Sequence, residues 1–122
     1  MAHEFAHATM LQHHRWETLL DALAFEGVAE HFAQQGTGTV TTPWSRALTL
    51  RQSRSLFVKL KKKLRSKDPR VYHSVFFAGK VYPLWAGYAV GYHMVKKFMI
   101  KHRRTRWPEI FSHDPREIIG KM

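Results

Sequence analysis

The stretch that most constrains the fold comes first: Met1-Ala2-His3-Glu4-Phe5-Ala6-His7. Two histidines four residues apart reach a common point when the backbone between them is helical, because that spacing stacks side chains one turn above another on one face. The pattern H-E-x-x-H thus predicts a helix whose His3 and His7 offer two imidazole nitrogens to one metal ion. Glu4 sits beside that pair, placed to take a proton from a water the metal activates rather than to ligate. This division of labour points to zinc-assisted hydrolysis. The plain alternative is two exposed histidines on a polar helix face.

Composition narrows the metal chemistry. The chain has no cysteine, which excludes a disulfide framework and a thiolate zinc site, so any metal must be held by histidine and carboxylate. Cysteine-free composition also fits a reducing compartment. No secretory leader pattern opens the sequence, and the longest mostly apolar run, 81–95, is interrupted by Pro83, Gly87 and Gly91. A soluble, cytoplasmic, single-domain chain of 122 residues without a transmembrane segment is therefore expected.

The net charge of +11 comes mainly from residues 51–70 and 96–106, apart from the acidic Glu4, Glu17, Asp21, Glu26 and Glu30. Such a surface attracts nucleic acid, anionic membranes or acidic peptides, and says nothing about chemistry. No aromatic residues interleave the charges on the basic faces of 54–67, so a solvated basic face is favoured over a dedicated nucleic-acid surface. The alternative to an enzyme is a basic nucleic-acid- or anionic-surface-binding module. In it Lys61, Lys62, Lys63, Arg103, Arg104 and Arg106 would contact phosphates, beside a structural or vestigial metal site.

A mainly α-helical chain follows from the periodicity. The motif helix is expected over 2–14, with Phe5 and Ala8 continuing one apolar side. A second helix is expected over 16–34, with Leu19, Leu20, Leu23, Val28 and Phe32 apolar and with Gly36 and Gly38 ending it. Glu26 falls in its middle, in the apolar setting Ala24-Phe25-Glu26-Gly27-Val28, where an unpaired carboxylate would be costly to bury. A metal ion would remove that cost. Eighteen residues separate His7 from Glu26, enough for a turn and an antiparallel return, so His3, His7 and Glu26 could form the three-ligand-plus-water set of a catalytic zinc. Glu30, one turn further, is the candidate acceptor for the other ring N–H of His3 or His7. His13, His14 and His31 read as surface or rim residues.

A Gly/Thr/Pro loop is expected over 36–47, with Trp44 anchoring it to the core and bordering the cleft. Thr49 and Gln52 form a capping box before a basic helix over 50–66, whose apolar stripe is Leu56, Phe57, Leu60 and Leu64. A short helix over 70–78 ends at Gly79. A long helix over 84–102 carries Tyr88 and Tyr92 on one face, while Gly87 and Gly91 leave room for a close neighbour. A phenol from Tyr88 or Tyr92, with His93 third, could steady the oxyanion of a peptide under attack; the plain alternative is core packing. Short helices over 107–121 close the chain, with Asp114 as N-cap and Ile118 and Ile119 facing inward.

Three of these motifs together are similar to one family. His3-Glu4-Phe5-Ala6-His7, Glu26-Gly27-Val28-Ala29-Glu30 and the run from Pro83 to Tyr92 resemble the bacterial YjaZ-like predicted zinc-dependent proteases, a domain-of-unknown-function family related to the gluzincin peptidases. Weaker likeness continues through Pro43-Trp44 and 114–119. The resemblance implies the helical metal-binding part of a gluzincin-like fold and a zinc ion held by His3, His7 and Glu26. It further implies Glu4 as general base, a tyrosine of the Tyr88/Tyr92 pair as oxyanion stabiliser, and a peptide or protein substrate. Family members carry a substantial segment before the motif helix, the sheet lobe that aligns the substrate in gluzincins, and this sequence is expected to lack it.

Overall fold

The computed structural model describes residues 2–38 and 42–119. Seven α-helices and no strand occur among them: α1 (Ala2–Leu11), α2 (Leu19–Thr37), α3 (Leu50–Leu60), α4 (Pro69–His73), α5 (Ala86–Lys101), α6 (Trp107–Ser112) and α7 (Pro115–Ile119). A 3-10 turn at Lys61–Lys63 extends α3, and a π-helical turn at Ser74–Ala78 extends α4. The mainly helical expectation holds. Residues 39–41 of the expected loop and the last three residues of the tail lie outside the described residues.

Helix α2 is the centre of the molecule. Residues 22–31 are buried without interruption, which is why its apolar residues surround the helix instead of forming one stripe. It starts at Leu19 rather than at Trp16 because Thr18 and Asp21 cap it reciprocally. The Asp21 N–H donates to Thr18 Oγ1 at 3.1 Å and the Thr18 N–H to the Asp21 carboxylate at 3.0 Å. Gly38 ends it in the left-handed region (φ +66°), donating its N–H to Gln34 O at 3.0 Å.

Helix α5 packs across α2 at a crossing that only glycine permits. A Cβ on Gly91 would lie 2.5 Å from Leu23 O, and one on Gly27 would lie 2.4 Å from Gly91 O, so the two backbones touch where a side chain would hold them apart. Gly87 serves a different neighbour: its Cβ would meet the Phe76 ring at 2.7 Å. The π-helical turn widens the backbone at this point, with Phe76 in the core and Phe77 exposed beside it.

Helix α1 packs on α2. His7 approaches Glu26 and His3 approaches Glu30, so the two helices run antiparallel. The side of α1 that meets α2 buries Ala6 and Met10 beside the histidines, whereas Phe5 and Leu11 are 58% and 53% exposed. This corrects the expected apolar side: the histidines belong to the inward face. Helix α1 ends at Leu11, and His13 and His14 fall in the turn that follows.

Thr49 and Gln52 form the expected capping box, and α3 buries Leu56, Phe57 and Leu60. Helix α5 begins at Ala86 because Trp85, just before it, is left-handed (φ 60°), a conformation that costs a non-glycine residue about 1–2 kcal/mol. Ile118 and Ile119 are buried. Among the described residues, no helix is long and apolar enough to cross a membrane.

Candidate metal centre

The antiparallel packing of α1 on α2 sets two i,i+4 pairs against each other. His3 and His7 project from α1, Glu26 and Glu30 from α2. His7 Nε2 lies 3.0 Å from Glu26 Oε1, His3 Nε2 lies 3.4 Å from Glu26 Oε2, and His3 Nδ1 lies 3.1 Å from Glu30 Oε1. One ligand atom from each of His3, His7 and Glu26 falls within 4.8 Å of the others, close enough for a single ion to reach all three.

Two details separate this arrangement from an ordinary ion-pair network. His7 Nε2 is buried, 3.0 Å from Glu26 Oε1, in ion-pair range but without an aligned hydrogen bond, a nitrogen and an oxygen side by side as two ligands of one ion would stand. His3 uses its rings' two nitrogens differently, giving Nδ1 to Glu30 and turning Nε2 towards Glu26. That is how a ligating imidazole is held by a carboxylate behind it. Two nitrogens and one carboxylate oxygen, with a cleft on the open side, are the donor set and access that a catalytic zinc requires.

Burial and the neighbouring imidazoles set the ionisation of the two carboxylates. Glu26 and Glu30 are 5% and 6% exposed. Burial pushes the Glu26 carboxyl up, but the facing imidazoles of His3 and His7 outweigh it and lower it below the usual range. Burial likewise opposes ionisation of Glu30, and hydrogen bonds from His3, Trp44, Thr42 and Ser45 overcome it, holding Glu30 at about 2. His3 is raised to about 9 by its hydrogen bonds to Glu26 and Glu30, against the effect of burial. The two buried carboxylates are thus offset by the imidazoles of His3 and His7, and a divalent ion could take over that role.

Glu30 is also the junction between the centre and the segment 42–48. Its Oε1 accepts Trp44 Nε1–H at 3.0 Å alongside His3, and the hydroxyls of Thr42 and Ser45 reach its Oε2 at 2.8 and 3.0 Å. Glu30 was expected to meet a histidine; the three partners from the later segment were not expected. Trp44 is held to this carboxylate and borders the cleft.

The cleft, of about 470 Å³, is lined by His3, Glu4, Glu26 and Glu30 on one side. Trp44, Phe77, Trp85 and Tyr88 wall it, with Trp44 and Trp85 edge to face at 6.2 Å. Glu4 is exposed on the same cleft as His3. Tyr88 lies between Phe76 and Phe77, at 5.0 and 5.9 Å. Its hydroxyl has no hydrogen-bond partner among the described residues. Burial, then the negative charge of Glu26, raises its pKa.

The structure separates the tyrosine pair. Tyr92 does not line this cleft: its ring stacks on His31 at 4.1 Å and its hydroxyl donates to Gln34 Oε1 at 2.9 Å. His93 holds Leu48 O at 3.1 Å, also away from the cleft. His31, expected at the surface or rim, is buried, with Nε2 on Tyr92 O at 2.8 Å. Phe77, Trp85 and Gln34 line the cleft without having been singled out. Their nearest sequence signal is the aromatic clustering of Phe76-Phe77 and Leu84-Trp85, which periodicity reads equally well as core.

Residues 1–120 match the model of a family described as "Predicted Zn-dependent protease (DUF2268)". The chain is also 33% identical over 106 residues to "Uncharacterized protein YjaZ" of Bacillus subtilis (strain 168), an alignment covering 81% of the chain and 41% of that protein. The chain thus spans about two fifths of the length of this curated relative. No solved structure matches it significantly.

Proposed function

The chain belongs to the family of predicted Zn-dependent proteases, and from that premise we propose that it carries the metal-binding and catalytic part of a gluzincin-type zinc peptidase acting on peptide bonds. The observation that carries this reading is the convergence of His3, His7 and Glu26 within 4.8 Å, two of them, His3 and Glu26, lining a cleft together with Glu4 and Tyr88. His3 and His7 would hold zinc through their ring nitrogens and Glu26 through a carboxylate oxygen. Zinc bound there supplies a Lewis acid that polarises the scissile carbonyl and acidifies a water molecule.

The remaining roles fall to the chain itself. Glu4, next to His3 on α1 and exposed to the cleft, takes the proton from the attacking water and returns it to the leaving amine. Tyr88, rather than Tyr92, offers its phenol O–H to the developing oxyanion; a raised pKa keeps that proton on the oxygen at neutral pH, where it acts as a donor. Glu30 fixes the His3 ring, and through Trp44 it fixes one wall of the cleft. The cleft's indoles and phenol suit an extended peptide with apolar side chains. A cytoplasmic setting is proposed on the absence of cysteine.

Zinc content and peptidase activity of the wild type, Glu26→Ala and Glu4→Gln test the assignment. Glu4→Gln is expected to keep the metal and lose hydrolysis, and Glu26→Ala to lose both. Equal zinc in all three, or zinc in none, removes the ligand set.

A further inference from the structure

The excess positive charge is not spread evenly, and one part of it leads to the cleft. Between α3 and α5 runs a groove of about 460 Å³ lined by Leu50, Arg54, Lys96, Lys97, Ile100 and Lys101, together with His93. It holds four cations and no carboxylate. Leu50 and Ile100 leave 42% and 52% of their surface exposed along it.

None of Arg54, Lys96, Lys97, Lys101 or Arg103 forms an ion pair among the described residues. Arg15, Lys67, Arg70 and Arg116 do. The other basic groove, beside Lys61 and Lys62, contains Asp21 and Asp114, which offset its charge. The α3/α5 groove thus combines uncompensated cations with exposed aliphatic side chains.

Shared borders connect it to the metal centre. Lys96 and Ile100 also line a neighbouring depression with Tyr92, Met99, Arg103 and Gln34. Gln34 in turn lines the catalytic cleft, and Tyr92 O–H holds its amide oxygen. Gln34 is thus common to the cleft and the depression, and Lys96 and Ile100 are common to the depression and the cationic groove.

We propose that this succession of hollows is a substrate exosite: the peptidase acts on acidic polypeptides, and a carboxylate-rich segment with spaced aliphatic residues, on one side of the scissile bond, lies along it. This rests on the peptidase reading for the cleft and adds the substrate class. Concave hollows that share lining residues with the cleft favour a polypeptide over a flat lipid surface. The absence of aromatic residues among the groove's cations disfavours nucleic acid, whose bases need stacking partners. Unpaired cations on a low-dielectric groove attract a charge-complementary segment most strongly at low ionic strength, within a Debye length of about 10 Å at 0.1 M salt.

The test uses fluorescein-labelled peptides of equal length with the same leucine spacing and glutamate, lysine or serine between. Fluorescence anisotropy is read with and without zinc, on wild type, the double variant Lys96→Glu/Lys97→Glu, and His3→Ala. The glutamate peptide is expected to bind at least tenfold tighter than the other two and to weaken about tenfold in the double variant. It is expected to bind His3→Ala like wild type. Equal binding of the three peptides, or no effect of the double variant, overturns the exosite. These readings need no hydrolysis, so a failed peptidase assay leaves them intact.

Continuity with the cleft is read by capping the glutamate peptide with a zinc-chelating hydroxamate. Binding is expected to exceed that of either part, and to fall in both His3→Ala and the double variant. Phosphatidylcholine–phosphatidylserine vesicles and single-stranded RNA serve as competitors. If either binds more tightly than the glutamate peptide and is released by the double variant, the groove serves that surface and the substrate assignment is overturned.

Discussion

Glu30→Gln isolates what a carboxylate behind the ligand contributes. Gln has the same shape, so its Oε1 can still accept from His3 Nδ1 and Trp44 Nε1, which share one oxygen in the wild type. The new amide N–H₂ replaces Oε2 and faces the hydroxyls of Thr42 and Ser45. Hydroxyls rotate and can accept instead of donate, so those contacts survive. What is lost is the negative charge that makes the His3 ring a stronger donor to the metal. Removing such a partner typically costs ten- to a hundredfold in metal affinity, or about 1.4–2.7 kcal/mol.

Glu30→Ala differs because it strips the acceptor as well. Buried Ser45, Trp44 Nε1–H and His3 Nδ1–H would then lack a partner, at about 1–3 kcal/mol for each group that water cannot reach. The assay is zinc competition against a chromophoric chelator, paired with thermal melts of zinc-free protein. Glu30→Gln should shift affinity with little change in the melt, and Glu30→Ala should shift both. Wild-type affinity in Glu30→Gln would refute the role given to this carboxylate.

Tyr88→Phe should lower kcat by ten- to a thousandfold at unchanged zinc content, whereas Tyr92→Phe, measured by the same peptidase assay, should act mainly on KM through loosened Gln34; equal kcat losses would deny the separation. Gly91→Ala places a Cβ 2.5 Å from Leu23 O, so α2 and α5 must part by roughly 1 Å; overpacking of about 1–3 kcal/mol exceeds the gain of up to about 1 kcal/mol in helix propensity, and urea denaturation should show a net loss. His31 is held below its ordinary pKa, first by burial, so the unfolded chain binds its proton more readily: its contribution is complete above the unfolded value of about 6.5 and fades as pH falls below it. Melts of zinc-free His31→Gln should be flatter than wild type as pH falls below about 6.5.

How much of this could be read in the sequence depends on the range of the contacts. His3 and His7, like Glu26 and Glu30, are i,i+4 pairs whose angular relation is fixed once a helix is assumed, and the Thr49 box is equally local. Their meeting across two helices needed only one antiparallel turn. The same i,i+4 rule failed for Tyr88 and Tyr92, because one helical turn along α5 carries Tyr92 past the end of the cleft to His31. Thr42, Trp44 and Ser45 reach Glu30 across 12 to 15 positions of chain, and no periodicity encodes that. Thr18 and Asp21 did carry a legible capping signal, yet the apolar Trp16 drew the expected helix start too early. Gly27 lay unremarked between Glu26 and Val28 because a glycine's partner, here Gly91 O, is visible only when the second helix is in place.

Trp85 occupies a backbone geometry in which glycine would relax the chain by about 1 kcal/mol or more. The indole kept there forms part of the wall opposite the metal ligands. Random mutagenesis scored on heat resistance and the same library scored on turnover should thus choose opposite residues at position 85, making it a single-site gauge of whether a laboratory lineage is being pulled towards durability or towards catalysis.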